Sequence, residues 1–436
     1  MLTGKKCTRH LPIWGGIECS YNRVRDKYFD QLEEAGHYNR LSHDIATIAE
    51  LGVRVLRYPV IWERNEPVEG QFDFAFADQS LATIQANGID PIVGLVHHGS
   101  GPAYCPVDSS EFPAKLAHYA ERVAQRYPWV QYYTPVNEPL TTARFCGLYG
   151  LWYPHGNTNR VFVRILLNEL RGVVESMKAI RRVNPDAWLV QTEDLGKTYA
   201  TPLLQYQADF ENCRRFLTYD LLCGKVDQHH VLWRFLRSIV DEAELTYFLD
   251  NPCPPNLIGL DYYPTSERYL DERLQLYPVH THGGNGKVNY ADVEAFRVRH
   301  RQQSGIDVLL KEYWERYQLP MAITEVHIHC DDDNQIRWFW HVRNACHQLM
   351  EQGVDVRAIT SWALLGSFGW NKLLTEPDGI YEAGAFDVST GKPEITALGR
   401  FVGELIRDNR HEHRAIREKG WWEREDRFIA HHRSMA

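Results

Sequence analysis

The chain has 436 residues, 48 Lys and Arg against 57 Asp and Glu, and a net charge of -9 with histidine neutral. A mixed, mildly acidic surface lacks the concentrated basic face of a nucleic-acid binder, and 44% hydrophobic residues is the content of a globular chain rather than a disordered one. No stretch approaches the roughly 18 apolar residues of a membrane span, and Lys5, Lys6 and Arg9 are not followed by an apolar segment of signal-peptide length.

Short apolar runs alternate along the chain with segments of helical period. A strand over 12–17 precedes a helix over 41–51, where apolar residues at 41, 45, 48 and 51 share one face and Ser42 is placed to cap. A strand over 53–59 leads to a helix over 76–87 that stops at Asn87-Gly88. The remaining pairs are 90–97 with 113–126, 132–137 with 160–183, 188–192 with 231–249, 257–263 with 302–317, 321–326 with 334–353, and 358–364 with 394–406. Each strand candidate is apolar on both faces, as a parallel strand buried on two sides should be. The pattern predicts an α/β fold, a (β/α)8 TIM barrel, as one domain over 1–436. A typical barrel needs about 250 residues. The excess falls in 141–159, 193–255 and 265–319, which follow strands and so lie on the carboxyl-terminal face where barrel active sites sit. An open doubly wound sheet is the structural alternative, weakened by the lack of a Gly-rich phosphate fingerprint after the first strand.

Nine cysteines are scattered with no C-x-x-C pair, which argues against a disulfide framework or a zinc knuckle and for a reducing, cytoplasmic setting. The 13 Trp and 23 Tyr are an unusual stock of flat platforms with polar edges, suited to holding a ring.

Two acids stand out. Tyr-Tyr-Thr-Pro-Val-Asn-Glu-Pro, 132–139, puts Asn137 and Glu138 at the end of the fourth strand. Ala-Ile-Thr-Glu-Val-His, 322–327, puts Glu325 at the same level of the seventh. Glu is seldom buried unless paired or functional. Either Glu alone would fit a structural ion pair with Arg57; two at matched depth across a barrel mouth fit the paired carboxylates of glycoside hydrolysis.

These two motifs resemble the catalytic signatures of glycoside hydrolase family 1, the β-glucosidase family. The likeness continues through Trp14-Gly15 with Ser20-Tyr21-Asn22, the segments 55–62, 94–98 and 258–263, and Ser361 to Trp370, in family order over almost the whole chain. A closer resemblance is to a divergent branch met as the amino-terminal half of fusions to dTDP-4-dehydrorhamnose reductase-like proteins, carried by 94–102 and 191–198; no room remains after Ala436 for the reductase half. The resemblance implies a retaining β-glycosidase without cofactor or metal, acting on a carbohydrate or glycoside. It makes Glu138 the general acid and base and Glu325 the nucleophile, with Arg57 and Tyr263 holding Glu325 ionised. Asn137 would meet the 2-hydroxyl, His97 and Asn22 other hydroxyls, Trp362 would stack beneath the sugar, and Trp370 would close the pocket.

Departures from the family pattern point to a non-standard glycone. Gly369 stands where the family has a glutamate that grips the far hydroxyls, Asn22 replaces Gln, His98 replaces Trp, and Asp261 replaces Asn. A deoxy sugar, a uronic acid or a larger glycone are the candidates. Glu193, Asp194 and Lys197 fit a substrate contact or a solvated ion-pair loop equally well. His327 and His329 share a strand face and, with His97 and His98, could build a metal site; the plainer account has Asp331–Asp333 opening a helix and His327 on the pocket rim. The Gly-rich stretch 280–287 suggests a lid. The 407–433 tail, with Trp421 and Trp422, would pack on the barrel or a partner subunit. Two other function classes remain beside hydrolysis: a non-catalytic glycan- or nucleotide-sugar-binding barrel, and a transglycosidase. Oligomeric state is open.

Overall fold

The computed structural model describes residues 10–298, 305–377, 379–409 and 412–428. Eight parallel strands close into a barrel: Ile13–Gly16, Val55–Pro59, Asp90–His97, Tyr132–Asn137, Trp188–Asp194, Leu257–Tyr262, Met321–Val326 and Val356–Ser361. They follow one another around the ring in chain order, and the eighth returns to the first through Trp14 opposite Thr360.

The strand sequences explain the interior. One residue from each strand forms a closed apolar layer: Trp14, Val55, Ile92, Tyr132, Val190, Leu257, Ala322 and Ala358. Two residues further along each strand the side chains point inward again, and here the layer turns polar: Arg57, Thr134, Thr192 and Thr324 lie among glycines at 16, 94 and 259. The threonine hydroxyls are committed to neighbours. Thr192 Oγ1 donates to Asn137 Oδ1 (2.7 Å) and Thr324 Oγ1 to Asp261 Oδ1 (2.6 Å). This polar layer is the floor on which the acids of the mouth stand.

Strands three, four and seven have the predicted bounds, while the eighth begins two residues early and ends at Ser361. The first long helix runs His37–Leu51, and Gly36 rather than Ser42 precedes it. Its opening residues carry no apolar stripe, but buried His37 bonds Asp44 (2.8 Å) and Tyr58 (2.9 Å), which draws that turn onto the barrel. The predicted 231–249 helix is broken into Trp233–Arg237 and Glu242–Asp250, because Asp241 is extended. The helix Leu217–Leu222, buried at every position, packs on the outer side after the fifth strand, and total burial left it no polar face to give a period. The seventh-strand helix begins at Asp332, and Asp331 caps it by accepting from Asn334 N (2.9 Å). Residues 302–304 of the predicted sixth helix lie outside the described residues; the helix there is Ile306–Tyr317. The last helix is Ala397–Asp408, and Glu394–Ile395 instead pairs with Phe386–Asp387.

The long insertions are not loose loops. Lys197–Ala200, Glu267–Asp271, Asn289–Glu294 and His282–Gly284 form a second, four-stranded sheet beside the mouth. The expected lid at 280–287 is the edge of this sheet and is absent from the cavity wall. The tail packs on the barrel through Trp422, whose buried ring meets Trp338 edge-on at 4.9 Å. Among the described residues no helix is long and apolar enough to cross a membrane.

Candidate active site

A cavity of about 940 Å³ opens at the carboxyl ends of the strands. Its inner wall holds Glu18, His98, Glu138, Tyr263, Glu325, Trp362 and Trp370. Its outer wall holds Arg144, Lys197, Arg268, Trp421 and Arg424, so both the second sheet and the tail contribute.

Glu138 is aimed by a local break. The strand ends at Asn137 and a helix begins at Pro139, so Glu138 alone makes the turn, at φ 44° and ψ 61°. A non-glycine residue in that left-handed region is strained and persists only where its surroundings demand it. Part of that support is Glu193. Its carboxylate accepts from Leu140 N (2.8 Å), Thr141 N (3.2 Å) and Thr218 Oγ1 (2.7 Å), filling the open amides of the helix that follows Glu138. Glu193 is thus a buried support on the cavity wall and not a solvated loop residue. Burial pushes its carboxyl up to about 7, against the pull of those hydrogen bonds. Asp194 accepts from Ser266 Oγ (2.6 Å), and Lys197 pairs with Glu312.

Glu325 also needs a local departure. Thr324 faces the barrel interior, so Glu325 in regular alternation would face away. A register shift between Ile323 and Glu325 sets it opposite Asp261 and turns it into the mouth. Arg57 Nη1 donates to Glu325 Oε1 (2.6 Å), Nη2 donates to Asn137 Oδ1 (2.6 Å), and the Tyr263 hydroxyl donates to Glu325 Oε2.

Glu138, Asp261 and Glu325 each bring a carboxyl oxygen within 4.8 Å of the other two, and all three are buried. Burial pushes Glu138 well above the ordinary carboxylate range, and the charges of Asp261 and Glu325 push it further. Burial and then Asp261 push Glu325 up as well, but Arg57 and Tyr263 pull it back. Among the described residues no cation touches Glu138: besides Asp261 its polar neighbour is His98 Nε2 at 3.6 Å, and burial first, then Arg57, lowers His98 to about 3, so that ring is neutral. Arg57 and Tyr263 thus favour the charged form of Glu325, while Glu138 has no guanidinium doing the same for it. Asp261, raised chiefly by burial to about 6, is the added charge in the group.

Of the ten residues singled out in the sequence, Glu138, Glu325, His98, Tyr263, Trp362 and Trp370 line the cavity. Arg57, His97 and Asn137 do not. They enclose a void of about 10 Å³ that Trp362 separates from the cavity. His97 stacks on Trp362, ring centres 5.6 Å apart and planes 6° apart, and supports the platform instead of forming a wall. Arg57 lies 4.6 Å from the centre of the same Trp362 ring. Asn22, expected to contact the ring, is fully buried outside the cavity lining: its Nδ2 donates to Leu374 O (3.1 Å), bracing the turn after Gly369, and its Oδ1 has no protein partner. His327 and His329 both face Glu382, at 3.0 and 3.8 Å. Among the described residues the group with metal-like spacing is the Glu138, Asp261, Glu325 set and includes no histidine.

Sequence reasoning missed Glu18. It follows the first strand by two residues in Gly-Gly-Ile-Glu, and an acid there, amid apolar neighbours, was the available signal. Its Oε1 accepts from Ser20 N (2.9 Å) and Ser20 Oγ (2.6 Å), and its Oε2 from Trp370 Nε1 (3.0 Å).

Comparison with known proteins points to one family and one fold. The sequence model of glycosyl hydrolase family 1 matches residues 21–390. Beta-glucosidase A of Thermotoga maritima is 23% identical over 403 residues, covering 86% of each chain. The aryl-phospho-beta-D-glucosidase BglC of Bacillus subtilis is 22% identical over 379 residues, covering 77% of this chain and 78% of the relative. The solved family 1 β-glucosidase of Thermotoga maritima superposes with a TM-score of 0.73 at 19% identity, over 94% of this chain and all of that one. Its complex with deoxynojirimycin gives 0.74 at the same identity and coverage.

Proposed function

Because the chain belongs to glycosyl hydrolase family 1, we propose that it hydrolyses a β-glycoside with retention, Glu138 and Glu325 dividing the chemistry, on a glycone other than plain glucose. The observation that carries this reading is the approach of a Glu138 oxygen to within 4.8 Å of a Glu325 oxygen, with a guanidinium on Glu325 alone. Retaining pairs stand about 5–5.5 Å apart, and a gap of about 6.5–9.5 Å would leave room for the water an inverting enzyme needs.

In the first step Glu325 attacks the anomeric carbon, and the glycosidic C–O bond breaks as Glu138 delivers its proton to the leaving oxygen. The glycosyl ester on Glu325 removes one negative charge from beside Glu138, whose affinity for a proton falls. Glu138 then takes a proton from water as that water attacks the anomeric carbon, and Glu325 leaves as a carboxylate. Arg57 and Tyr263 hold the aim of Glu325 throughout and stabilise the carboxylate that departs. Trp362, propped by His97 and Arg57, offers a flat face to the sugar.

The test is covalent trapping. A set of 2-deoxy-2-fluoro glycosides with good leaving groups should form an ester on the peptide carrying Glu325, and Glu325→Gln should neither turn over activated aryl glycosides nor take up the label. Equal hydrolysis by Glu325→Gln would refute the assignment.

A further inference from the structure

We propose that Glu18 is the residue that reads the glycone, accepting hydrogen bonds from donor groups on the ring edge remote from the anomeric carbon, and that the enzyme therefore selects glycones without negative charge. This deepens the hydrolase reading above and rests on it.

Position is the first argument. The first strand lies three places from both the fourth and the sixth around the barrel, so Glu18, just beyond its end, stands across the mouth from Glu138, Asp261 and Tyr263. A ring whose anomeric carbon sits between Glu138 and Glu325, on the Trp362 face, turns its far edge toward Glu18 and Trp370. Burial is the second. Glu18 is 3% exposed, and its bonds come from neutral groups, Ser20 and Trp370. Its nearest cation-capable neighbour is His97 Nε2 at 3.9 Å, a ring that burial keeps neutral. Burying an acid with no cation is costly, and a purely structural role for Trp370 Nε1 would be served by any neutral acceptor. A carboxylate has about four acceptor positions; three are taken here, and Glu18 lines the cavity.

Charge is the third. Glu18, Glu138 and Glu325 line the inner wall with Asp261 beside the last two, and Arg57 is the guanidinium that reaches Asp261 and Glu325 but neither Glu18 nor Glu138. The cations of the cavity, among them Arg144, Lys197, Arg268 and Arg424, stand on its outer wall, away from the ring edge against Glu18. A carboxylate or phosphate on that ring edge would set a further anion beside Glu18, whereas hydroxyl or ammonium donors would satisfy it. Of the glycones the sequence left open, the uronic acid is the one this proposal disfavours.

The experiment crosses enzyme with substrate. Wild type and Glu18→Gln are assayed on 4-nitrophenyl β-D-glucoside, its 3-, 4- and 6-deoxy analogues, an amino-sugar analogue and the β-D-glucuronide. Glu18→Gln keeps the size of the side chain and an acceptor for Trp370. A hydrogen bond to a charged group predicts a loss of about 10- to 100-fold in kcat/KM for glycosides bearing the recognised donor, and little loss for the analogue lacking it. Wild type should disfavour the glucuronide, and Glu18→Gln should narrow that gap. An equal loss on every analogue, or wild-type preference for the glucuronide, overturns the proposal. The wild-type comparison stands even if the variant is unstable. Labelling of Glu325 by a 2-fluoro glycoside separates the two readings: turnover and labelling without selectivity at Glu18 refute this proposal alone, and failure of wild type to turn over or label on any glycoside refutes the hydrolase reading and this one together.

Discussion

Asp261→Asn isolates the added charge beside Glu138. The substitution is nearly isosteric, and the amide oxygen can still accept from Thr324 Oγ1, so the polar floor of the barrel should persist. What disappears is a carboxylate whose oxygen lies within 4.8 Å of oxygens on both Glu138 and Glu325. Two unit charges about 4.8 Å apart interact by about 3.5 kcal/mol at an effective dielectric of about 20, which corresponds to about 2.5 pH units as a ceiling. Asp261 is itself raised to about 6 by burial, so its full charge acts only above that pH. A negative neighbour raises the pKa of an acid, and its removal lowers it. The alkaline limb of kcat/KM, which reports the general acid in the free enzyme, should therefore move down by about 1–2 pH units in Asp261→Asn. The assay is a pH series on an aryl glycoside with a poor leaving group, where protonation by Glu138 matters; a dinitrophenyl glycoside, which leaves without help, is the control. A limb that stays in place or moves to higher pH would show that Asp261 does not set the proton affinity of Glu138.

Tyr263→Phe removes the hydroxyl that donates to Glu325 and should lower kcat by about 10- to 100-fold with KM little changed; a change confined to KM would count against its aiming role. Glu193→Ala releases the amides of Leu140 and Thr141, costing about 0.5–2 kcal/mol in a thermal melt, and should also reduce kcat by misplacing Glu138; unaltered kinetics would show that the helix start does not set that aim. Glu169 is fully buried and bonds through neither carboxyl oxygen, and burial, then Glu193, raises its pKa well above the ordinary value. The folded state thus binds its proton more tightly than the unfolded chain does. The stability this brings is complete below the unfolded pKa and is lost as pH rises through the folded one. Glu169→Gln removes that titration, so its Tm relative to wild type should climb as pH rises above the ordinary carboxylate range; a constant difference would refute the assignment.

The acids were legible because their chemistry conflicts with their surroundings: Glu138 and Glu325 end runs of buried apolar residues, where a bystander carboxylate would be too costly. Their supports were less legible. Glu193 looked like part of a charged loop because the amides it fills belong to another segment, 140–141, and no local pattern reports that meeting. His97 looked like a sugar contact, but it stacks on Trp362 outside the cavity lining, while its neighbour His98, at φ 54°, takes the cavity face.

By itself, then, the sequence determined the barrel and singled out Glu138 and Glu325 as a candidate pair. Strand runs buried on two sides and their alternation with helices are local properties, and an acid at a strand end needs only its neighbours to be recognised. The tertiary structure decided what surrounds that pair. The register shift at Ile323 turns Glu325 inward, Asp261 is brought beside Glu138, and Glu18 crosses the mouth from the first strand. Residues 18, 138, 261 and 325 meet only when the ring closes, and their shared electrostatics depend on distances of a few ångströms that no spacing along the chain encodes.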